Sequence, residues 1–280
     1  MAAHGGTLHT SRLKTMLIPR EHGAWGMLLV PLATGAIVGL PFGVDVGGLT
    51  LFIVAAMSLF WLRTPVEAWL GTSAIKAQTE HECGVVLRAI VSIGVLAAGS
   101  IASLLWNGQH RELLLLGAIA GLAFAVQASV KKLERKGRMP AQVIGAVGLT
   151  STAAGAYYVA TGKLDHVALA LWLANWLFAG NQIHFVQLRI RSSRIITMNK
   201  KLRQGLPFVA GQVGLIGAIL VACGFGLFPA LVALAFVPVL FRGILWFVPG
   251  RQALDMHKLG FTEMAHALIF GGLLCTAFLL

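Results

Sequence analysis

Residues 85–106 read VVLRAIVSIGVLAAGSIASLLW, twenty-two positions with one charge, Arg88. A helix closes its backbone hydrogen bonds on itself, and about 20 apolar residues carry it across a bilayer core. This stretch therefore predicts a membrane-spanning helix, and it decides the fold class. Eight further stretches of the same kind flank it: Ala24–Leu40, Gly47–Leu62, Leu113–Val130, Met139–Ala160, Val167–Gln187, Leu206–Phe225, Phe228–Trp246 and Met264–Leu280. The expectation is an all-α polytopic membrane protein of about nine spans. The second span reads as short, and the turn between the seventh and eighth as very tight.

Composition agrees. The 280 residues are 57% hydrophobic and 11% charged, with a mean hydropathy of +0.81. Soluble domains carry about 25% charged residues, which argues against a soluble enzyme, and the apolar content excludes a disordered chain. Cys83, Cys223 and Cys275 are odd in number and lack paired spacing, which argues against a disulfide scaffold and for reduced, small apolar residues.

The net charge is +12, from 22 Lys+Arg against 10 Asp+Glu. With nine spans and a cytoplasmic N-terminus, 20 of the basic residues fall inside and two, Arg111 and Lys163, outside. That asymmetry is what the positive-inside rule requires. The basic charge thus orients the chain, N-terminus cytoplasmic and C-terminus outside, and does not point to nucleic acid. Residues 1–20 read as a polar cytoplasmic tail and not as a signal peptide, and 21–280 as one transmembrane domain. Inside connections read as long, about 22 residues after span two and 18 after span six, so loop-built sites are expected on the cytoplasmic side.

Five polar segments could carry chemistry. Arg20, Glu21 and His22 stand at the entry to span one, either as a basic anchor or as a headgroup contact. Thr64-Pro65-Val66-Glu67 reads as a capping box opening an amphipathic interfacial helix, with Arg63 free to snorkel or to meet an anion. Thr79-Glu80-His81-Glu82-Cys83 resembles a ligand cluster, but adjacent residues make a poor metal site and the stretch reads as solvated loop. The basic run Lys131–Arg138 suits anionic lipid, and Gln127, one turn before Lys131, extends a polar face into the membrane.

Span six is the most informative. It carries Asn175, Asn181, Gln182, His184 and Gln187, too many polar groups for a lipid-facing helix. At 100° per residue Asn181, His184, Leu188 and Arg191 form one stripe. An unsatisfied polar group in hydrocarbon costs several kcal/mol, so the stripe should face the bundle interior, as helix-to-helix hydrogen bonds or as a cytoplasm-facing pocket. The pairs Gly35/Gly39 and Gly117/Gly121 allow close helix approach.

Pro19–Gly26, with the span after it, resembles the opening of the YwiC-like family of uncharacterised bacterial membrane proteins, which implies a bacterial cytoplasmic-membrane location without assigning a reaction. More remotely, three features resemble UbiA-type prenyltransferases of the menaquinone branch: Arg20 through Pro31 and Gly35, the segment 155–162, and 181–189. The family's second aspartate-rich motif is similar to the last of these, with Asn181 and Arg189 matching but His184 and Leu188 standing where the family has aspartates. No aspartate cluster follows span two either; the three aspartates are Asp45, Asp165 and Asp255. The resemblance implies a UbiA-like bundle and a quinone-related or isoprenoid amphiphile. The missing carboxylates, which Mg²⁺ demands, imply no metal and no cofactor.

The expected function is a UbiA-like bundle that binds membrane lipid, or an isoprenoid with an anionic headgroup, at a cytoplasmic cationic mouth. Arg20, His22, Arg63, Glu67, Gln127, Lys131, Asn181, His184, Arg189 and Arg191 are the candidate contacts. His184, oriented by Asn181, is the candidate acid or base of a magnesium-independent transferase. Two other readings stay open: a subunit or assembly partner of a membrane complex, and a small-solute transporter.

Overall fold

A computed structural model describes residues 12–19, 22–43, 45–73, 75–106, 110–133, 138–192, 198–248 and 255–280; the side chains of 22, 131–133, 138 and 198 are not among them. All regular structure in the described residues is helical. After a short helix at 12–17 come α1 (His22–Gly39), α2 (Val46–Trp69), α3 (Glu80–Trp106), α4 (Leu113–Leu133), α5 (Arg138–Thr161), α6 (His166–Arg191), α7 (Met198–Gly224), α8 (Val232–Leu245) and α9 (Met256–Leu279). Each expected span falls on one of α1–α9.

Seven of these helices are long and apolar enough to cross a membrane: α1, α2, α3, α4, α5, α7 and α9. The chain is a multi-pass helical membrane protein. α6 fails the test through its amides and histidine. α8 fails through its 14 residues, about 21 Å at 1.5 Å per residue.

Several ends differ from the hydropathy reading, because hydropathy marks only what sits in lipid while a helix stops where its backbone is capped. α7 starts at Met198 and α9 at Met256, each about two turns before the expected boundary. With α2 running on to Trp69, α3 starting at Glu80 and α7 at Met198, the two connections expected to be long shrink to 70–79 and 192–197. Asp255 accepts from His257 N at 2.9 Å and Lys258 N at 3.2 Å and so opens α9. Asp45 caps α2 through Gly48 N and Asp165 caps α6 through Val167 N and Ala168 N. All three aspartates of the chain are thus committed to helix starts. α8 begins at Val232 rather than near Phe228. Gly226 turns the chain before it at φ +72°, and Leu227 N and Phe228 N close back on Ala222 O.

The described chain packs as two compact units. The first holds the 12–17 helix, α2 and α3. Met16 is 1% exposed, packed with Ala68 and Val86, and Trp61 Nε1 donates to Leu17 O at 2.7 Å. The 12–17 helix of the tail is therefore docked on α2 and α3.

In this unit the expected interfacial helix is absent. α2 runs without a break through Thr64 and Pro65 to Trp69, and Gly71 ends it at φ +70° with Thr72 N and Ser73 N both on Glu67 O. Glu67 pairs with Arg63 one turn back at 3.0 Å instead of capping. The solvated reading of 79–83 holds for Thr79, Glu80 and His81, which are exposed, and fails at Glu82. Glu82 is 3% exposed and accepts from Gln78 N at 2.8 Å and Thr79 N at 3.3 Å, while Thr79 Oγ1 accepts from Glu82 N. The capping box stands here, at the start of α3.

The second unit holds α1 and α4–α9. α1 approaches α5 so closely that a Cβ on Gly35 would stand 2.0 Å from Ala153 O, and one on Gly39 2.6 Å from Ala160 Cβ. Gly117 and Gly121 have no such neighbour within 4 Å, so only the first glycine pair serves close packing. The apolar core centres on Leu171, Phe178, Phe236, Phe270 and Leu274, with Phe178 stacked on Phe270 at 4.2 Å.

Candidate functional site

α6 is the polar axis of the second unit, and its amides turn inward. Asn175 Nδ2 donates to Thr34 Oγ1 of α1 at 3.1 Å, Trp172 and Trp176 donate to Val147 O and Val143 O of α5, and Gln187 Nε2 donates to Gln142 Oε1 at 3.0 Å. Between Asn175 and Gln187 the helix meets charge. Arg242 of α8 and Glu263 of α9 form an ion pair through Nη1 and Oε2, the arginine 8% and the glutamate 4% exposed. Arg242 Nη2 also donates to Asn181 Oδ1 at 3.2 Å, and its guanidinium carbon lies 4.1 Å from the centre of the Phe185 ring. Asn181 and Phe185 are four residues apart, hence stacked on one helix face, and Arg242 spans both. Gln182 Nε2 donates to Glu263 O at 2.8 Å.

The arrangement follows from where these helices run. A buried ion without a partner costs several kcal/mol, and more in hydrocarbon. Arg242 is held by an opposite charge, an amide oxygen and an aromatic face together. Satisfaction is still incomplete: Arg242 Nε, Glu263 Oε1 and both amide atoms of Gln212 on α7 are closed off with no hydrogen-bond partner among the described residues. Gln212 lies beside Gly243, where a Cβ would meet its Cδ at 3.7 Å.

Around the pair the charge is basic. Arg189 and His266 act electrostatically on Glu263, Lys201 on Arg189, and Arg191 on His184. Lys201 Nζ also donates to Val248 O and lies 5.0 Å from the Trp246 ring centre. Among the described residues no three His, Cys, Asp or Glu side chains come together as a metal site.

The expected stripe of α6 is partly realised. Asn181 and Leu188 are buried, His184 is half-buried and Arg191 exposed. His184 meets Phe208 edge-on at 5.2 Å and lies against Gly211, where a Cβ would come within 2.8 Å of Nδ1. Asn181 gives its oxygen to Arg242, so the expected orientation of His184 by Asn181 is not the contact made. Gln127 is buried with its amide over Gly145 of α5. Arg63 and Glu67 sit in the other unit, paired with each other. Arg20 and the side chains of His22 and Lys131 lie outside the described residues.

Sequence reading missed Arg242, Glu263 and Gln212. Arg242 was counted as a loop charge although it falls inside the eighth apolar stretch. Glu263 stood one residue before the expected ninth span. The Asp255 cap, which places Glu263 two turns inside a helix, was the available signal.

YwiC-like proteins match this chain over residues 18–158, which is just over half its length. The chain belongs to the YwiC-like family. No curated protein and no solved structure matches it. The matched part runs from the docked N-terminal segment into α5. The Arg242–Glu263 cluster of this YwiC-like chain, on α6–α9, lies wholly beyond it. Family membership and the apolar helices together make it an integral membrane protein.

Proposed function

We propose that this YwiC-like protein is a nine-span protein of the bacterial cytoplasmic membrane, N-terminus inside. In it the cytoplasmic end of α6, with α7–α9, binds an amphiphile through an anionic headgroup. The seven apolar helices, with α6 and α8 as the remaining two crossings, supply the count. α6 has 26 residues, ample for a bilayer, and its polar groups face protein rather than lipid. The distribution of basic residues, 19 to 2 once the buried Arg242 is set aside, supports the orientation.

The observation that carries the headgroup reading is the excess of cation around one buried carboxylate. Arg242 is paired with Glu263 and Arg189 interacts with it, Lys201 interacts with Arg189, and Arg191 with His184. Guanidinium groups take phosphate or carboxylate without a metal. His184 and Leu188, at positions where UbiA-type prenyltransferases have metal-binding aspartates, suit such a metal-independent site, and a quinone-related or isoprenoid amphiphile falls within it. The amides of α6 are spent on neighbouring helices of the same unit, which argues against a docking face for another protein.

Lipid analysis of the full chain purified in mild detergent tests the reading. Wild type should retain an enriched anionic amphiphile. Arg191→Ala should reduce that retention more than Lys131→Ala. Equal losses would mean general surface electrostatics, and no enrichment in wild type would refute the reading.

A further inference from the structure

We propose that the second unit is stoppered at its outer end, so that its ligand enters and leaves on the cytoplasmic side and nothing crosses the membrane through this unit. This rests on the nine-span, N-inside reading for which end is outer. It deepens the headgroup reading by fixing the source of the ligand: the reaction that supplies the amphiphile takes place on the cytoplasmic face or in the inner leaflet.

The buried groups are sorted along the unit. Toward the Arg191 end of α6 stand the buried polar side chains Asn181, Gln182, Arg242 and Glu263. Toward the other end, where α5 passes into α6, lies one apolar cluster to which every helix of the unit contributes. On α6 the cluster runs from Ala168 to Phe178, about 15 Å at 1.5 Å per residue. The polar groups beside it are engaged locally. Thr34 Oγ1 donates to Pro31 O, Asn175 Nδ2 to Thr34 Oγ1 and Leu171 O, and Thr150 and Thr152 to carbonyls of their own helix. A dry layer of that depth stops ions and headgroups, because a charge taken into an apolar medium without a partner is strongly disfavoured.

The layer is not built as a gate. Alternating access rocks one rigid body against another about a seam, whereas here a single cluster joins α1 and α4–α9. α1 meets the backbone of α5 at Gly35 and the Ala160 side chain at Gly39. Residues 151–160 of α5 are buried without exception. Two adjacent tyrosines close the end. Tyr158 OH donates to Glu112 Oε2 just before α4, and the Asp165 carboxylate that caps α6 acts on Tyr157. Neighbouring side chains on a helix point about 100° apart, so the pair ties α5 to the starts of α4 and α6 at once. Opening this end means breaking a close-packed core.

Labelling by a membrane-impermeant maleimide in right-side-out and inside-out vesicles tests this, on the full chain carrying Cys83→Ala, Cys223→Ala and Cys275→Ala. Gln187→Cys should label from the cytoplasmic face only, and the exposed His166→Cys from the outside only. Ala174→Cys, in the cluster and 0% exposed, should label from the outside about a hundredfold more slowly than His166→Cys, since a core position reacts only when the core opens. In wild-type proteoliposomes holding phosphatidylglycerol with a fluorescent acyl chain, dithionite should bleach the outward leaflet alone, as in protein-free vesicles.

Outside labelling of Ala174→Cys at the rate of His166→Cys, or bleaching of both leaflets by wild type, would overturn the stopper. Exchanged faces for Gln187→Cys and His166→Cys would overturn the orientation on which it rests. Dihexanoyl phosphatidylglycerol should slow the labelling of Gln187→Cys from the cytoplasmic face; no slowing would overturn the headgroup reading and leave the stopper standing. The bleaching assay uses wild type, so a variant that fails to fold leaves a decisive result in place.

Discussion

Glu82 and Glu263 are both carboxylates under 5% exposed with an arginine against them, yet they are held by opposite means. Glu82 is secured by its own neighbourhood. Two backbone N–H groups three and four residues back donate to it, and Arg12 Nε stands 2.8 Å away in ion contact, off the hydrogen-bond line and with its side chain 40% exposed. Glu263 is secured from a distance, by a guanidinium 21 residues away that Asn181 also holds, 61 residues from that arginine. A cap needs one turn of chain. A buried ion pair between helices needs the bundle already assembled, and it fails as a unit.

The largest expected effect tests that contrast. Arg242→Ala leaves Glu263 charged and unpaired and should destabilise the second unit by about 3–5 kcal/mol, read as a fall in thermal or denaturant midpoint in detergent. The double variant Arg242→Met with Glu263→Leu should recover most of that loss, since an apolar pair of similar volume is often neutral or stabilising. Failure of the double variant to recover would mean that Asn181 and Gln182 depend on the pair for their own placement.

Glu82→Ala should cost less, about 1–2 kcal/mol, the range for a lost helix cap with part of an ion pair. Its loss should be local. Hydrogen exchange should quicken at the amides of Gln78 and Thr79, with the second unit unaffected. A Glu82→Ala effect as large as that of Arg242→Ala would erase the distinction between the two carboxylates. Gly71→Ala should fall in the same range, about 1–2 kcal/mol, because a Cβ is strained at φ +70°.

The difference in reach is also why the sequence was unevenly legible. Apolar runs such as 85–106 and the inward stripe of α6 are written in consecutive residues, and both the helices and the burial of Asn181 and Leu188 follow from them. The pairing of Arg242 with Glu263 depends on which helices become neighbours, and no spacing rule contains that. Glu263 was hidden for a second reason. Hydropathy begins a helix where residues become greasy, whereas the backbone begins it at Asp255, whose carboxylate caps the first turn.

The smallest expected effect is the sharpest test of how local motifs are read. Thr64-Pro65-Val66-Glu67 and Thr79-Glu80-His81-Glu82 share the Thr-x-x-Glu pattern, and the first has the better apparent credentials, a proline at the first helical position. Only the second caps. An N-cap must have non-helical backbone before it, and residues 46–63 are an unbroken apolar helix that already satisfies the amide of Thr64. Residues 70–78 follow the Gly71 stop and leave the amides of Gln78 and Thr79 without helical partners, so Glu82 takes them. Thr79→Ala should therefore cost about 1 kcal/mol and loosen the first turn of α3. Thr64→Ala should change stability by less than about 0.5 kcal/mol, as a substitution away from caps and networks does. The two variants differ by one atom group in the same pattern, so comparable losses at 64 and 79 would show that α2 breaks at Thr64 after all. The Arg63–Glu67 pair would then be an accident of the helix that carries it.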